Sequence, residues 1–206
     1  MSNLCIKSDF TDFYDIYSVK DGQITYNRYR SESRQRWEAL KYLRSLGLKT
    51  IELKPVQSYT LFDPPIVVYT NPKLHSGNGK KVLSINEALQ IYPSCVASLY
   101  YKDSINTIKV IQVGKRQFRI TFRREISNNT LTPGNIIDIK EIKSDYNRVI
   151  GLPIYSIDFI SINNEMIATD FNEVEVLYKY EINRYINGEE IINEVLNSLI
   201  IYNKAI

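Results

Sequence analysis

The chain has 206 residues, 44% hydrophobic and 24% charged, so it is long enough to bury a core in one medium domain or two small lobes. Its net charge of +3 is too small to indicate nucleic-acid binding by itself, and a single histidine, His75, excludes most histidine-based metal sites. Cys5 and Cys95 lie in apolar runs without metal-ligand spacing, which indicates free thiols in a reducing compartment. The polar first ten residues lack a signal-peptide pattern, and no apolar run approaches the roughly 18 residues of a membrane span, so we expect a cytoplasmic protein.

The amino-terminal third predicts strands at residues 4–7, 23–29 and 49–54. Ser8 or Asp9 is suited to cap a helix over the acidic and aromatic run at residues 8–15. A second helix is predicted over residues 30–46, because Trp37, Leu40, Leu43 and Leu46 recur at helical spacing before Gly47. Four arginines flank its start, which we interpret as a solvated face, with an anion site as the alternative: Arg28, Arg30, Arg34 and Arg36.

Pro64-Pro65 marks the expected boundary between an amino-terminal lobe, residues 1–63, and a second region, residues 64–206. Residues 66–69 predict a strand, and a loop rich in glycine and lysine follows at residues 70–81. Backbone N–H groups and ammonium groups in such a loop can surround phosphates, although the spacing is not that of a Walker or dinucleotide motif. Ser84 and Glu87 form a capping box that predicts a short helix ending near Tyr92.

Residues 94–101, 107–113 and 116–124 predict three antiparallel strands, the last two joined at Gly114-Lys115. In this pairing Lys109 and Arg124 share the apolar face of Phe118, and cations on an apolar face need an anionic partner. Thr132-Pro133 and the isoleucines that follow predict a helix over residues 132–149, and another amphipathic helix is predicted after Gly188.

Residues 154–160 and 166–170 predict a hairpin closed by the turn at Asn163-Asn164. Its register brings Asp158 within one residue of Asp170, and two carboxylates so close repel unless a proton or cation lies between them. Asn172, on the same face, adds an amide oxygen, and this oxygen set suits Mg²⁺. The alternative is structural: Asp170 and Asn172 as turn or cap residues and Asp158 as an exposed side chain.

Taken in order, residues 66–200 resemble the nucleotide-binding half of the ATP-grasp family, and within it the RimK-like amino-acid ligases. VVYTNPKLHSGNGKKV is similar to the family's glycine-rich lid, and VASLYY to the hinge strand that lines the adenine pocket. TIKVIQVGKRQFRITFRRE resembles the hairpin with a cationic phosphate ligand before its turn and an arginine after it. IDFISINNEMIATDFNEV resembles the metal-binding strands, where an acid meets an acid-x-Asn.

The resemblance implies an α+β fold of ATP-grasp type, in which two lobes with antiparallel sheets enclose a nucleotide cleft after a short α/β amino-terminal segment. It implies ATP and Mg²⁺ as cofactors and a ligase that joins a carboxylate to an amine through an acyl phosphate. Phosphate-binding, catalytic roles fall to Lys109 and to Arg123 or Arg124, and Mg²⁺ ligation to Asp158, Asp170 and Asn172. The remaining nucleotide contacts fall to Lys73, Gly77, Gly79, Lys80, Lys81, Ser98 and Tyr100.

The sequence departs from the family pattern at Tyr69 and Asp170, in the absence of a Pro-Gly after Asn172, and in its short segment before Pro64. Tyr69 stands where the family usually has a nucleotide-binding lysine, so that Lys73, Lys80 or Lys81 would replace it, and Asp170 replaces the more usual glutamate. The resemblance also suggests a phage-encoded protein with its substrate site in the amino-terminal lobe, at Lys7, Asp9, Asp12 and Arg28. The alternative function is a catalytically degenerate protein that binds nucleotide, or binds nucleic acid through the basic hairpin with Phe118 and Phe122 stacking on bases.

Overall fold

The computed structural model describes residues 2–7, 13–20, 23–30, 36–70, 79–143, 154–172, 185–187, 189–191 and 193–194. The strands in these residues are β1 Ser2–Lys7, β2 Phe13–Lys20, β3 Gln23–Arg30, β4 Lys54–Pro55, β5 Ile66–Tyr69, β6 Lys80–Leu83, β7 Val96–Leu99, β8 Asn106–Val113, β9 Arg116–Ser127, β10 Thr130–Ile142, β11 Ile154–Ile162 and β12 Glu165–Asn172. The helices are α1 Arg36–Ser45 and α2 Ile85–Ile91, with a 3₁₀ turn at Val56–Ser58. Residues 189–191 and 193–194 are helical, and the rest of the predicted last helix lies outside the described residues.

The first three strands form an antiparallel sheet of their own, in the order β1-β2-β3. The strand predicted at residues 23–29 is confirmed as β3. The helix predicted over residues 8–15 is wrong where the structure describes it, because Phe13 begins β2. β2 pairs with β1 on one side and β3 on the other, so neighbouring strands satisfy its backbone and override the capping signal.

The second sheet has nine strands in the order β12-β11-β8-β9-β10-β6-β5-β7-β4. One hydrophobic cluster contains Val67 and Tyr69 of β5 together with Tyr155 and Phe159 of β11 and Phe171 of β12. Strands far apart in the order therefore meet in space, so the sheet curls and the β5–β6 end faces the β11–β12 end. We call the region between these two ends the cleft.

Helix α2 covers the opposite face of the β5–β6–β7 end. Its capping box is confirmed: Ser84 Oγ accepts from the Glu87 N–H at 3.3 Å, and Glu87 Oε2 accepts from the Ser84 N–H at 3.0 Å. Ile85 and Ala88 of α2 pack with Ile66 in a second hydrophobic cluster. This layer supports β5 and β6 from behind and leaves their other face toward the cleft.

Helix α1 packs against the other end of the sheet. Leu40 and Leu43 are buried, and the ring of Tyr42 lies 5.7 Å from that of Phe171 in β12. The helix begins at Arg36, not at residue 30, and ends before Gly47, whose φ of 85° is the left-handed conformation that glycine adopts most readily. This packing holds the first turn of α1 beside β12.

The helix predicted over residues 132–149 is wrong as far as residue 142, where β10 runs instead, and residues 144–153 lie outside the described residues. Ile136 pairs with Phe122 and Ile139 with Ile120, two positions that share one face of β9. The register shifts between Ile136 and Asp138, and the extra residue of that bulge places isoleucines three apart on the same face. The bulge in β10 therefore produces the three-residue spacing of apolar residues that is also typical of a helix.

The prediction of a strand over residues 49–54 is wrong, because these residues do not form a regular series of backbone pairs. Thr50 makes a single parallel bridge to Ala168, and regular pairing is limited to β4, which begins at Lys54. Among the described residues, no helix is both long and apolar enough to cross a bilayer.

Candidate nucleotide-binding site

The hairpin of β11 and β12 positions the two predicted metal ligands. Asn163 and Asn164 close it with φ of 50° and 64°, which matches the two-residue turn expected from the sequence. The register shifts by one residue between Asp158 and Phe159, so that Asp158 pairs directly with Asp170 and Ser156 with Asn172. The predicted proximity of the two carboxylates is therefore confirmed.

Lys109 is the anion-paired cation that the β8–β9 pattern predicted. It pairs with Asp158 across β8 and β11 and with Ile120 across β9, on the face of Phe118. Its Nζ lies 2.7 Å from Asp158 Oδ1 and 3.3 Å from Ser156 Oγ, with the Lys109 side chain 10% exposed. A charge this buried needs such a partner.

Arg36 is a site residue that the sequence interpretation missed, because it was assigned to a solvated face. Its Nη1 lies 2.7 Å from Asp170 Oδ2, and both side chains are less than a tenth exposed, at 9% and 6%. Burial alone would lower the pKa of Arg36, but the carboxylate of Asp170, with smaller effects of Tyr69 and Asp158, raises it. The guanidinium is therefore a permanent cation in the cleft. No local signal distinguishes Arg36 from its neighbouring arginines.

Lys80 lies on the opposite side of the cleft, directly across from Tyr69 in the β5–β6 pair. Burial, followed by the cation of Arg36, lowers the pKa of Lys80 to about 8. The further charges that act on its ammonium group come from Asp170, Asp158 and Lys109. Of the lysines that could replace the missing lysine at Tyr69, Lys80 is the one that the described structure places among these charges.

Tyr69 is a buried residue on the β5–β6 side of the cleft. It is 6% exposed, its hydroxyl lies 3.3 Å from Ser98 Oγ, and the Arg36 guanidinium lies 4.9 Å from the centre of its ring. Burial raises the pKa of Tyr69, opposed by the cation of Arg36, so the phenol stays neutral at ordinary pH. Ser98 is buried with it, which places this predicted hinge residue at the cleft wall.

The hairpin offers oxygen atoms of the kinds that Mg²⁺ takes as ligands. Asn172 Nδ2 donates to Ser156 Oγ at 3.5 Å, which leaves its amide oxygen as an acceptor. Asp158 Oδ1 is buried and lies 2.7 Å from the Lys109 ammonium, but it accepts no hydrogen bond within the described structure. No three His, Cys, Asp or Glu side chains come together in the described part of the chain. Mg²⁺ would therefore take its remaining ligands from water and phosphate, as it commonly does.

The other predicted nucleotide contacts are more scattered. Gly79 is buried, and its carbonyl accepts from the Thr70 N–H at 2.9 Å. Lys81 Nζ donates to Thr130 Oγ1 at 2.6 Å, so this lysine ties β6 to β10. Lys73 and Gly77 lie outside the described residues, as do Asp9 and Asp12.

Arg124 and Arg123 occupy opposite faces of β9. Arg124 lies 5.1 Å above the ring of Tyr100, and its Nη1 donates to the carbonyls of Tyr101 and Ser104 at 3.0 and 2.7 Å. Burial lowers the pKa of Arg124, and its contacts fix the loop after β7. Arg123 is exposed.

The β8–β9 hairpin does not expose the two aromatic rings that were expected to stack on nucleic-acid bases. Phe118 is fully buried and Phe122 is 6% exposed, so neither ring is accessible for stacking on bases. Lys109 is likewise buried against Asp158. The prediction of base stacking by these two rings is therefore wrong, because the sheet buries both of them in its core.

No protein-family model matches the sequence, and no curated protein matches it. Among solved structures, the chain resembles D-alanine–D-alanine ligase from Bacillus anthracis, with a TM-score of 0.54 and 15% identity over 83% of this chain and 69% of that one. It also resembles the ATP-grasp ligase PsnB complexed with minimal precursor, with a TM-score of 0.54 and 12% identity over 80% of this chain and 60% of that one. PsnB complexed with a phosphomimetic precursor variant, Mg and ADP gives a TM-score of 0.53 at 12% identity over 80% of this chain and 59% of that one.

These likenesses and the antiparallel sheet show the fold of the protein: the chain has the ATP-grasp fold, an α+β architecture. At identities this low the comparisons establish the fold alone. The resemblance stated from the sequence motifs is confirmed at this level.

Proposed function

We propose that the protein is an ATP- and Mg²⁺-dependent ligase that joins a carboxylate to an amine. The observation that carries the proposal is the facing pair of Asp158 and Asp170 with Lys109 and Lys80 beside them, on an ATP-grasp fold. Two carboxylates and an amide oxygen suit the metal, and the cations suit the phosphates. The solved relatives support the cofactors, since one of them is PsnB with Mg and ADP.

In the proposed reaction the substrate carboxylate attacks the γ-phosphorus of ATP, and ADP leaves. The amine then attacks the carbonyl of the acyl phosphate, and phosphate leaves as the amine loses its proton. Mg²⁺, when bound, would neutralise charge on the phosphates. Lys109 and Lys80 would orient the phosphoryl group and stabilise the charge that builds on it, which is the main protein contribution in phosphoryl transfer.

A nucleotide-binding protein without turnover is the second candidate, and one observation favours it. In the described structure each of the two aspartates of the hairpin already has a cation of the chain at 2.7 Å, Lys109 for Asp158 and Arg36 for Asp170. Charges compensated in this way lower the demand for a metal.

Release of ADP decides between the two candidates. The protein is incubated with ATP, Mg²⁺ and pooled amino acids, with Asp158→Asn as the inactive reference. ADP that forms only with the amino acids, and only in the wild type, supports the ligase. ATP-dependent thermal stabilisation without ADP release supports the non-catalytic protein, and the absence of both contradicts nucleotide binding altogether.

A further inference from the structure

Arg36 joins the two sides of the cleft. On β12 its Nη1 contacts Asp170 Oδ2 at 2.7 Å and the Thr169 carbonyl at 3.2 Å. On β5 its guanidinium lies over the ring of Tyr69 at 4.9 Å. Because β12 and β5 are far apart in the order of the sheet, this one side chain connects strands that no backbone ladder joins.

The contact uses the oxygen of Asp170 that a metal would need. Asp170 Oδ1 accepts a hydrogen bond from the Phe171 N–H at 3.0 Å, so Oδ2 is the oxygen directed into the cleft. The Arg36 guanidinium lies at ion-pair distance from that oxygen, and the Asp170 side chain is only 6% exposed. A guanidinium and a divalent cation cannot both occupy that position.

We propose that Arg36 and the divalent cation compete for Asp170, and that the displaced guanidinium then binds the nucleotide phosphates. The second half of this inference rests on the proposed function, whereas the competition itself does not.

The anchoring of Arg36 supports the exchange. Arg36 is the first residue of α1, and α1 is fixed to β12 through the contact of Tyr42 with Phe171. A guanidinium released from Asp170 therefore stays in the cleft, near the ammonium groups of Lys80 and Lys109. Like charges so close repel until an anion enters, and a polyphosphate supplies that anion.

Metal and nucleotide are consequently expected to bind cooperatively. The metal alone must displace Arg36 without compensation for the released cation, so it binds weakly. With the nucleotide present, Arg36 gains a new anionic partner and the same displacement costs less. By linkage, the nucleotide and the metal raise each other's affinity by the same factor.

The competition is tested with the metal alone, using Mn²⁺, which accepts the same oxygen ligands and whose free concentration is read by electron paramagnetic resonance. In Arg36→Met, Asp170 loses its competitor, and Mn²⁺ is expected to bind at least about fivefold more tightly than in the wild type. Arg36→Lys keeps a cation at the position and is expected to lie closer to the wild type. Asp170→Asn is expected to abolish the gain in the Arg36→Met background.

Arg116→Met is the matched control. Arg116 makes the same three kinds of contact elsewhere: Glu141 at 2.9 Å, the Tyr185 carbonyl at 2.9 Å and the Phe118 ring at 5.3 Å. Like Arg36→Met, Arg116→Met removes one positive charge and one ion pair. It is nevertheless expected to leave the Mn²⁺ affinity unchanged.

If Arg36→Met binds Mn²⁺ no more tightly than the wild type does, the proposed competition is wrong, whatever the result of the ATP titrations. If Arg36→Met does not fold, Arg36→Gln is judged by the same criterion, since it keeps an N–H donor for the Thr169 carbonyl without the charge. ATP titrations complete the test: Arg36→Met is expected to lose most of the Mg²⁺-dependent gain in ATP affinity. A wild type that binds Mn²⁺ as expected but not ATP overturns the proposed function while the competition stands.

Discussion

Replacing Lys109 by methionine separates the structural role of this residue from its proposed role in binding phosphate. Methionine retains most of the buried stem but removes the ammonium 2.7 Å from Asp158, whose side chain is 17% exposed. Removal of one partner of a buried ion pair costs about 3–5 kcal/mol. Because Asp158 retains some contact with water, we expect the lower end, about 3 kcal/mol. In a chain of this size that corresponds to a fall in melting temperature of about 6–12 °C.

The companion variant Asp158→Asn removes the carboxylate that Lys109→Met leaves unpaired. We therefore expect the double variant to regain most of the lost stability in thermal and urea unfolding. ATP binding should not return, because the phosphates still lack the ammonium. The loss of one charge-assisted contact is worth about 1.5–3 kcal/mol, or roughly a 10- to 150-fold lower ATP affinity.

Lys115→Met is the control for this cycle, because Lys115 is an exposed lysine at the turn of the same hairpin. Its substitution should change stability by less than about 0.5 kcal/mol. ATP affinity unchanged in Lys109→Met would refute the phosphate role. A double variant no more stable than Lys109→Met would refute the ion pair as the cause of the destabilisation.

The remaining predictions concern three residues, Lys80, Ser84 and Gly114. ATP affinity should fall as the pH rises through about 8, where Lys80 loses its proton, and Lys80→Arg should remove that fall in calorimetric titrations. The stability of the ligand-free wild type relative to Lys80→Met should rise over the same range, since the unfolded chain still holds the proton that folded Lys80 has lost. Ser84→Ala should lower the free energy of unfolding by about 1 kcal/mol through loss of the α2 cap and leave ATP affinity intact. Gly114→Ala should destabilise the fold by more than about 1 kcal/mol, because its φ is 58° and a Cβ there would lie 2.6 Å from the Glu194 carbonyl; a variant as stable as the wild type in urea would contradict this geometry.

The parts of the site that could be predicted from the sequence are those set by short-range pairing. The Asn163-Asn164 turn sets the register of β11 and β12 and so places Asp158 within one residue of Asp170. The register shift between Asp158 and Phe159, which the sequence did not predict, makes the pairing direct. The turn at Gly114 does the same for β8 and β9, so the shared face of Lys109 and Phe118 was also predictable.

The contacts made across the cleft could not be predicted in this way. Arg36 lies 133 residues from the Thr169 carbonyl that it contacts, and only the packing of α1 on β12 selects it from the arginines around it. The pairing of Lys80 with Tyr69 requires the register of β5 and β6, and the residues between the two strands, 70–79, are too many for a tight turn to fix it. β10 was misassigned because its bulge reproduces a helical spacing.

The central claim is that Asp170 holds a magnesium ion that helps to bind ATP in this cleft. Calorimetric titration of ATP into the wild type and Asp170→Asn, each with and without Mg²⁺, tests it most directly. The account predicts that Mg²⁺ strengthens ATP binding in the wild type and has no such effect in Asp170→Asn. An equal Mg²⁺-dependent gain in both proteins, or no ATP binding by the wild type, would contradict it.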